Sequence, residues 1–265
     1  MKKAFAVLLG LAVFVTLSLA FPSVREAMHG HWRSLKDSAL AQFFGGLRKA
    51  EAGETPTETK GQDLVALVKE KKVEAHTQGD GIESIQVKVR RLVAQPVTVR
   101  IPVGTFFVSR RASAQNMVST HEEEVVLTSN DWVSVSVPVT CANMARAVPG
   151  EKDSFAIQRS PQQPELVRLT PVLDKASAEF AVRQAAVWIV TDNANYDGLG
   201  TLVGGFMGLG PREIHEAEAA QAMKLVDEAG IDIRKKAIWH DRHQIARELK
   251  DEHLKRWLQQ PAARK

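Results

Sequence analysis

The sequence predicts an α+β protein: an antiparallel Ig-like β-sandwich followed by a mainly helical C-terminal segment. Two observations lead there. Between residues 85 and 139 the apolar residues recur at every second position, the period of a half-buried strand. From residue 177 onward they recur at helical spacing instead. At 265 residues with 44% hydrophobic and 25% charged residues, the chain has the composition of an ordinary globular protein and can bury a sizeable core.

The elements follow in order. Lys2 and Lys3 precede an uncharged run, Ala4–Ala20, which ends in Ser18-Leu19-Ala20. A charged start, an apolar middle and a small-x-small exit are the pattern of a secretory signal peptide over residues 1–20. An uncleaved membrane anchor is the alternative, since the run is at the short limit for a span. Export places the protein in the periplasm, at the cell surface or outside the cell. Residues 21–61 read as a tether with a short helix between Val24 and Leu47, and the polar stretch 51–60 as linker. Asp63 is placed to cap a helix whose stripe is Leu64, Leu67 and Val68.

The domain expected over residues 62–145 joins that helix to the sandwich. Its strands are Ile85–Val89, Val97–Ile101, Thr105–Ser109, Asn116–Ser119, Glu124–Thr128 and Val133–Val139. Turns are expected at 102–104 and 129–131. Residues 146–265 form the helical segment packed on the sandwich. It opens with an irregular, proline-rich stretch carrying Pro149, Pro161, Pro164 and Pro171. Helices follow over 177–191, 211–229 and 241–259, with a glycine-rich loop before the second.

Familiar catalytic motifs are missing. In the glycine-rich loop, Gly198-x-Gly200 would need a third glycine where Val203 stands, so the dinucleotide fingerprint fails. No G-x-x-x-x-G-K-[S/T], G-x-S-x-G or H-E-x-x-H occurs. His240 and His243 could share a metal, but no further ligands accompany them, and neither a metal nor a cofactor is expected. With no reaction indicated, the reading is a binding module without catalytic activity.

Charge suggests a partner. Losing residues 1–20 removes two lysines and no acid, lowering the formal net charge from +4 to +2. Within that mild balance, Lys88, Arg90, Arg91, Arg100, Arg110 and Arg111 occur with no acid between Glu83 and Glu122. In an exported protein such a patch suits an anionic envelope polymer or surface protein better than nucleic acid. The same residues also suit strand edges made unattractive to other strands. A membrane contact is expected only through the N-terminal segment if it stays uncleaved.

Cys141 is the sole cysteine, so an exported chain has no disulfide to build from it. It continues the odd parity of Val133, Val135, Val137 and Val139 and should point where they point. Phe180, Gln184, Val187 and Trp188 fall on one helix face, which puts a primary amide among apolar side chains. Cys141 as a core thiol with Gln184 as a hydrogen-bonded helix residue is one reading of the pair. Cys141 as the nucleophile of a hydrolase, with some histidine as base, is another.

A third comes from resemblance. Cys141, Pro149-Gly150, Phe155 and the run Arg183-Gln-Ala-Ala-Val-Trp188 resemble the thioester domains of Gram-positive surface adhesins, over about residues 131–193. Arg183 stands where that family has threonine. The resemblance implies an internal bond between Cys141 and Gln184, formed with loss of ammonia and opened later by a partner's amine.

Overall fold

A computed structural model describes residues 61–159, 163–202 and 211–260. The expected signal sequence, nearly all of the expected tether with its helix, Pro161, and residues 203–210 of the glycine-rich loop lie outside these residues. The chain separates into two units, Met1–Glu58 and Thr59–Lys265, and the described residues all belong to the second.

The fold is mixed α+β, as the two sequence periods imply. Six strands make one antiparallel sheet in the order β2 (Val73–Gly79), β3 (Ser84–Arg91), β8 (Val133–Ala142), β6 (Asn116–Ser119), β5 (Phe106–Ser109) and β9 (Phe155–Gln158). A second sheet orders β1 (Gln62–Asp63), β4 (Val97–Ile101) and β7 (Glu123–Leu127), with β1 parallel to β4 and β4 antiparallel to β7. Between them helix α1 (Leu64–Lys69) starts at Asp63, whose Oδ1 accepts from the Ala66 amide at 3.0 Å. The helix buries Leu64 and Leu67.

The six-stranded sheet nearly closes on itself. Its end strands β2 and β9 are joined by Thr77, whose hydroxyl donates to the Phe155 carbonyl (2.7 Å) and accepts from the Phe155 amide (2.9 Å). One side chain thus replaces a rung of the ladder. Beside it the Gly79 amide donates to the Asp153 carbonyl at 2.9 Å. A Cβ on Gly79 would fall 2.3 Å from the Gly150 carbonyl oxygen, so the seam closes only over glycine.

Strand β8 carries the longest apolar alternation and bends the rule halfway. Its outward serines, Ser134 and Ser136, are exposed, but from Val139 to Ala142 both faces are buried. The reason is helix α3 (Phe180–Thr191), which lies against β8 and is buried from Gln184 to Val190. That is why its sequence is apolar nearly all round.

The helical part contains more than the periodicity predicted. The irregular stretch after Cys141 holds β9 and also helix α2 (Pro164–Lys175). Pro164 sits in its first turn and Pro171 is accommodated within it. A short helix α4 (Tyr196–Leu199) precedes α5 (Glu216–Glu228), which begins five residues later than expected. The expected helix over 241–259 is two: α6 (Arg242–Glu248) and α7 (Glu252–Gln259). Asp251 divides them by accepting from the amides of His253 (2.8 Å) and Leu254 (3.1 Å), an N-cap in mid-sequence. One continuous apolar core runs from Leu64 to Leu258 through both sheets and the helices. No helix of the described residues is long and apolar enough to cross a membrane.

Candidate functional site

The pair singled out in the sequence meets in space. Cys141 is 2% exposed and Gln184 1%. Their contact runs through the main chain: the Cys141 amide donates to Gln184 Oε1 at 2.8 Å, and Gln184 Nε2 donates to the Cys141 carbonyl at 2.7 Å. The register explains why these groups are free to do so. On one edge β8 pairs with β3 from Val133 to Pro138, and the Val139 amide still reaches the Glu83 carbonyl (2.9 Å). Beyond that β3 has ended, and the Cys141 amide and carbonyl would be buried without partners. The Gln184 carboxamide has the same donor–acceptor pair as a peptide group and continues the ladder by one rung.

A second side chain, at the C-terminal end of the same helix, holds the strand exit. Asp192, following α3, accepts from the Met144 amide at 2.9 Å. Gln184 and Asp192 therefore fix the chain at 141 and 144. Val187 and Trp188 lie buried beside them, while Phe180 is half-buried at the edge of a cavity of about 590 Å³ that Glu83, Glu179, Arg183 and Glu213 also line. Within it, Arg183 donates to the Ala178 carbonyl, and burial lowers its pKa against the opposing pull of Glu83 and Glu179.

Burial pushes the Cys141 thiol up to about 12. At neutral pH that leaves about 1 in 10⁵ molecules as thiolate, the nucleophilic form. The Gln184 amide, for its part, has both polar atoms engaged. Loss of Nε2 as ammonia would strip the Cys141 carbonyl of its donor.

The six cations of the basic patch do not act as one surface. Arg90 is held by Glu74 (2.5 and 2.8 Å), Arg100 by Glu122 (2.8 Å), and Arg111 by Asp153 in a two-pronged pair (2.7 and 2.8 Å). Arg91 donates to the Ala94 carbonyl. These bonds hold the Glu74 and Asp153 carboxyls below their usual values. Lys88 and Arg110 are exposed and have no partner among the described residues.

Folding adds two cations that the linear run could not show. Loop 109–115 and loop 143–154 are tied by the Ala114–Ala147 bridge, by Gln115 N to Ala147 O and Ala147 N to Ser113 O (both 2.9 Å), and by the Arg111–Asp153 pair. Arg110 thereby joins Lys152, and Arg146 stands on the same bridged loops, its carbonyl accepting from Gln115 Nε2 at 3.0 Å; the three side chains are exposed and unpartnered among the described residues, with Glu151 the one free acid of the two loops. Arg110, Lys152 and Glu151 line an open depression of about 800 Å³ together with Val148. Arg146 and Lys152 sit in the proline-rich stretch without strand alternation, so nothing in the sequence tied them to Arg110.

His240 and His243 are both at the surface, and no cluster of three or more metal-ligating side chains occurs among the described residues. Comparison of the chain with protein families, curated proteins and solved structures gives no match.

Proposed function

We propose that the chain is an exported module that binds an anionic partner at the cell envelope and carries out no reaction. The observation that supports it most is the basic end of the sheet, where Arg110, Arg146 and Lys152 stand free on two loops braced against each other. Such a surface costs little to organise on binding, because the loops are already tied. The high pKa of the Cys141 thiol and the full engagement of Gln184 favour a structural role for that pair. The architecture that goes with this reading is Ig-like, supported by two sheets, of six and three strands, that share one core.

Reversing Arg110, Arg146 and Lys152 to Glu should sharply weaken retention on anionic envelope material and lower its dependence on salt. Unchanged retention rejects the proposal. Export rests on the N-terminal pattern, and a mature chain beginning at Phe21 is the expected product of cleavage.

A second reading is the internal thioester, favoured by the meeting of Gln184 with Cys141. In that reaction Cys141 Sγ bonds to Gln184 Cδ, the Cδ–Nε2 bond breaks, and ammonia leaves with the thiol proton. The native chain would weigh one ammonia less than its sequence, and Cys141→Ala would restore the full mass. A full-mass native chain excludes it.

A further inference from the structure

The outward face of β2, β3 and β8 carries an arrangement that the basic end does not use. Trp132 immediately precedes β8 at the outward parity of Ser134 and Ser136, and continuing the ladder by one residue places it opposite Arg90. The Arg90 guanidinium lies over the Trp132 ring, 4.7 Å from its centroid, and is itself clamped by Glu74. The His76 ring, a strand further away on β2, meets the indole at 4.9 Å and 48°. His76 is in turn bonded to Glu74 at 3.1 Å. The indole therefore reaches across the sheet, held by an arginine and a histidine that share one carboxylate, and is still 41% exposed.

Beside it is an open pocket of about 610 Å³, lined by His76, Thr77, Gln78, Lys88, Trp132 and Ser134. His76, Lys88 and Ser134 form one row across the three strands. The Thr77 hydroxyl is fully used by Phe155. Lys88 Nζ and Ser134 Oγ have no partner among the described residues. Because Arg90 and Glu74 neutralise each other, Lys88 sets the sign of the pocket.

A fixed aromatic face with a few hydrogen-bonding groups suits a ligand that is flat and apolar on one side and polar at its rim. A sugar ring has that shape, with C–H bonds on its face and hydroxyls around its edge. The unpaired ammonium selects an acidic one. We infer that this pocket binds a carboxylate-bearing glycan, with Trp132 stacking on a sugar ring and Lys88 pairing with its carboxylate. The inference deepens the envelope-binding reading and rests on it for the location of the partner. The pocket is nonetheless built from different residues than the basic end.

The full chain is titrated with polygalacturonate, with a neutral glucan and with inorganic polyphosphate, following binding by calorimetry. Native protein should bind polygalacturonate. Trp132→Ala should weaken that binding about ten-fold, Trp132→Phe should recover most of it, and neither should alter polyphosphate binding. Lys88→Gln should remove the preference for polygalacturonate over the neutral glucan. With Arg110, Arg146 and Lys152 reversed to Glu, polyphosphate binding should be lost while a Trp132-dependent saccharide binding remains. The glycan site is overturned if native protein ignores polygalacturonate, if Trp132→Ala binds it as native does, or if the neutral glucan binds equally well. Should polyphosphate binding survive those results, the glycan site alone has failed and the anionic-partner reading stands.

Discussion

At the scale of single residues, the Cys141–Gln184 contact makes an asymmetric prediction. The amide serves the main chain of Cys141, so the thiol is dispensable to it and the carboxamide is not. Gln184→Leu keeps the volume but leaves a buried amide and carbonyl unpaired, at about 1–3 kcal/mol each. Cys141→Ala removes one buried sulfur and should cost about 1 kcal/mol. Denaturant unfolding of the two variants distinguishes them, and equal costs would show that the sulfur carries the contact. The raised thiol pKa adds a pH signature. Between about 9 and about 12 the unfolded chain loses the Cys141 proton while the folded chain keeps it, so stability conferred by the neutral thiol is complete below the window and declines across it. The expected decline is about 1.4 kcal/mol per pH unit, and Cys141→Ala should lack it when compared with native protein over the same pH range. Strand parity and helix spacing turned each of these residues toward an inward face, and the resemblance to thioester domains paired them. They could not show that the contact runs through the backbone, because that depends on the β3 ladder ending at Pro138, three residues before Cys141 needs a partner.

At the scale of elements, legibility followed the strength of the apolar pattern. The strands with Val or Ile at every second place were readable, and β8 was the clearest. Strand β2 was not, because its inward positions are Val73, Ala75, Thr77 and Gly79, only one of them strongly apolar. Those weak positions have structural reasons. Thr77 supplies the hydroxyl that joins β9, and Gly79 makes room for the Gly150 carbonyl. Residues chosen for a seam do not spell a strand. Gly79→Ala should therefore part the β2–β9 edge and destabilise the fold by about 1–3 kcal/mol through overpacking. Faster hydrogen exchange at the Gly79 and Phe155 amides is the local readout; unchanged protection at both would mean that the seam tolerates a side chain. Trp132 left a trace that could have been followed, an aromatic at the polar parity of an alternating strand. Arg146 and Lys152 left none, since their partnership with Arg110 arises only when two loops are bridged.

For the whole molecule, the question is whether the β-rich and helical parts act as one body. The sequence changes period near residue 145, which invites a division there. The packing runs across it. Helix α3 covers the C-terminal half of β8, Gln184 completes that strand's ladder and Asp192 holds its exit, while β9, which follows the change of period, closes the sheet against β2. Without α3, both faces of residues 139–142 and the Cys141 peptide groups would lose their cover. Without the sheet, the side of α3 that packs on β8 would face water, although α5 and α2 would still cover its other sides. Each part therefore exposes a core face when separated, and Thr59–Lys265 should unfold in one cooperative step. Far-UV circular dichroism weights the helices, whereas the fluorescence of Trp132, at the start of β8, reports on the sheet once the other tryptophans are replaced by Phe. The two melting curves should coincide, as two-state unfolding requires. Loss of the Trp132 signal ahead of the helical signal would show a sheet that opens on its own, and would make the helices a scaffold in their own right.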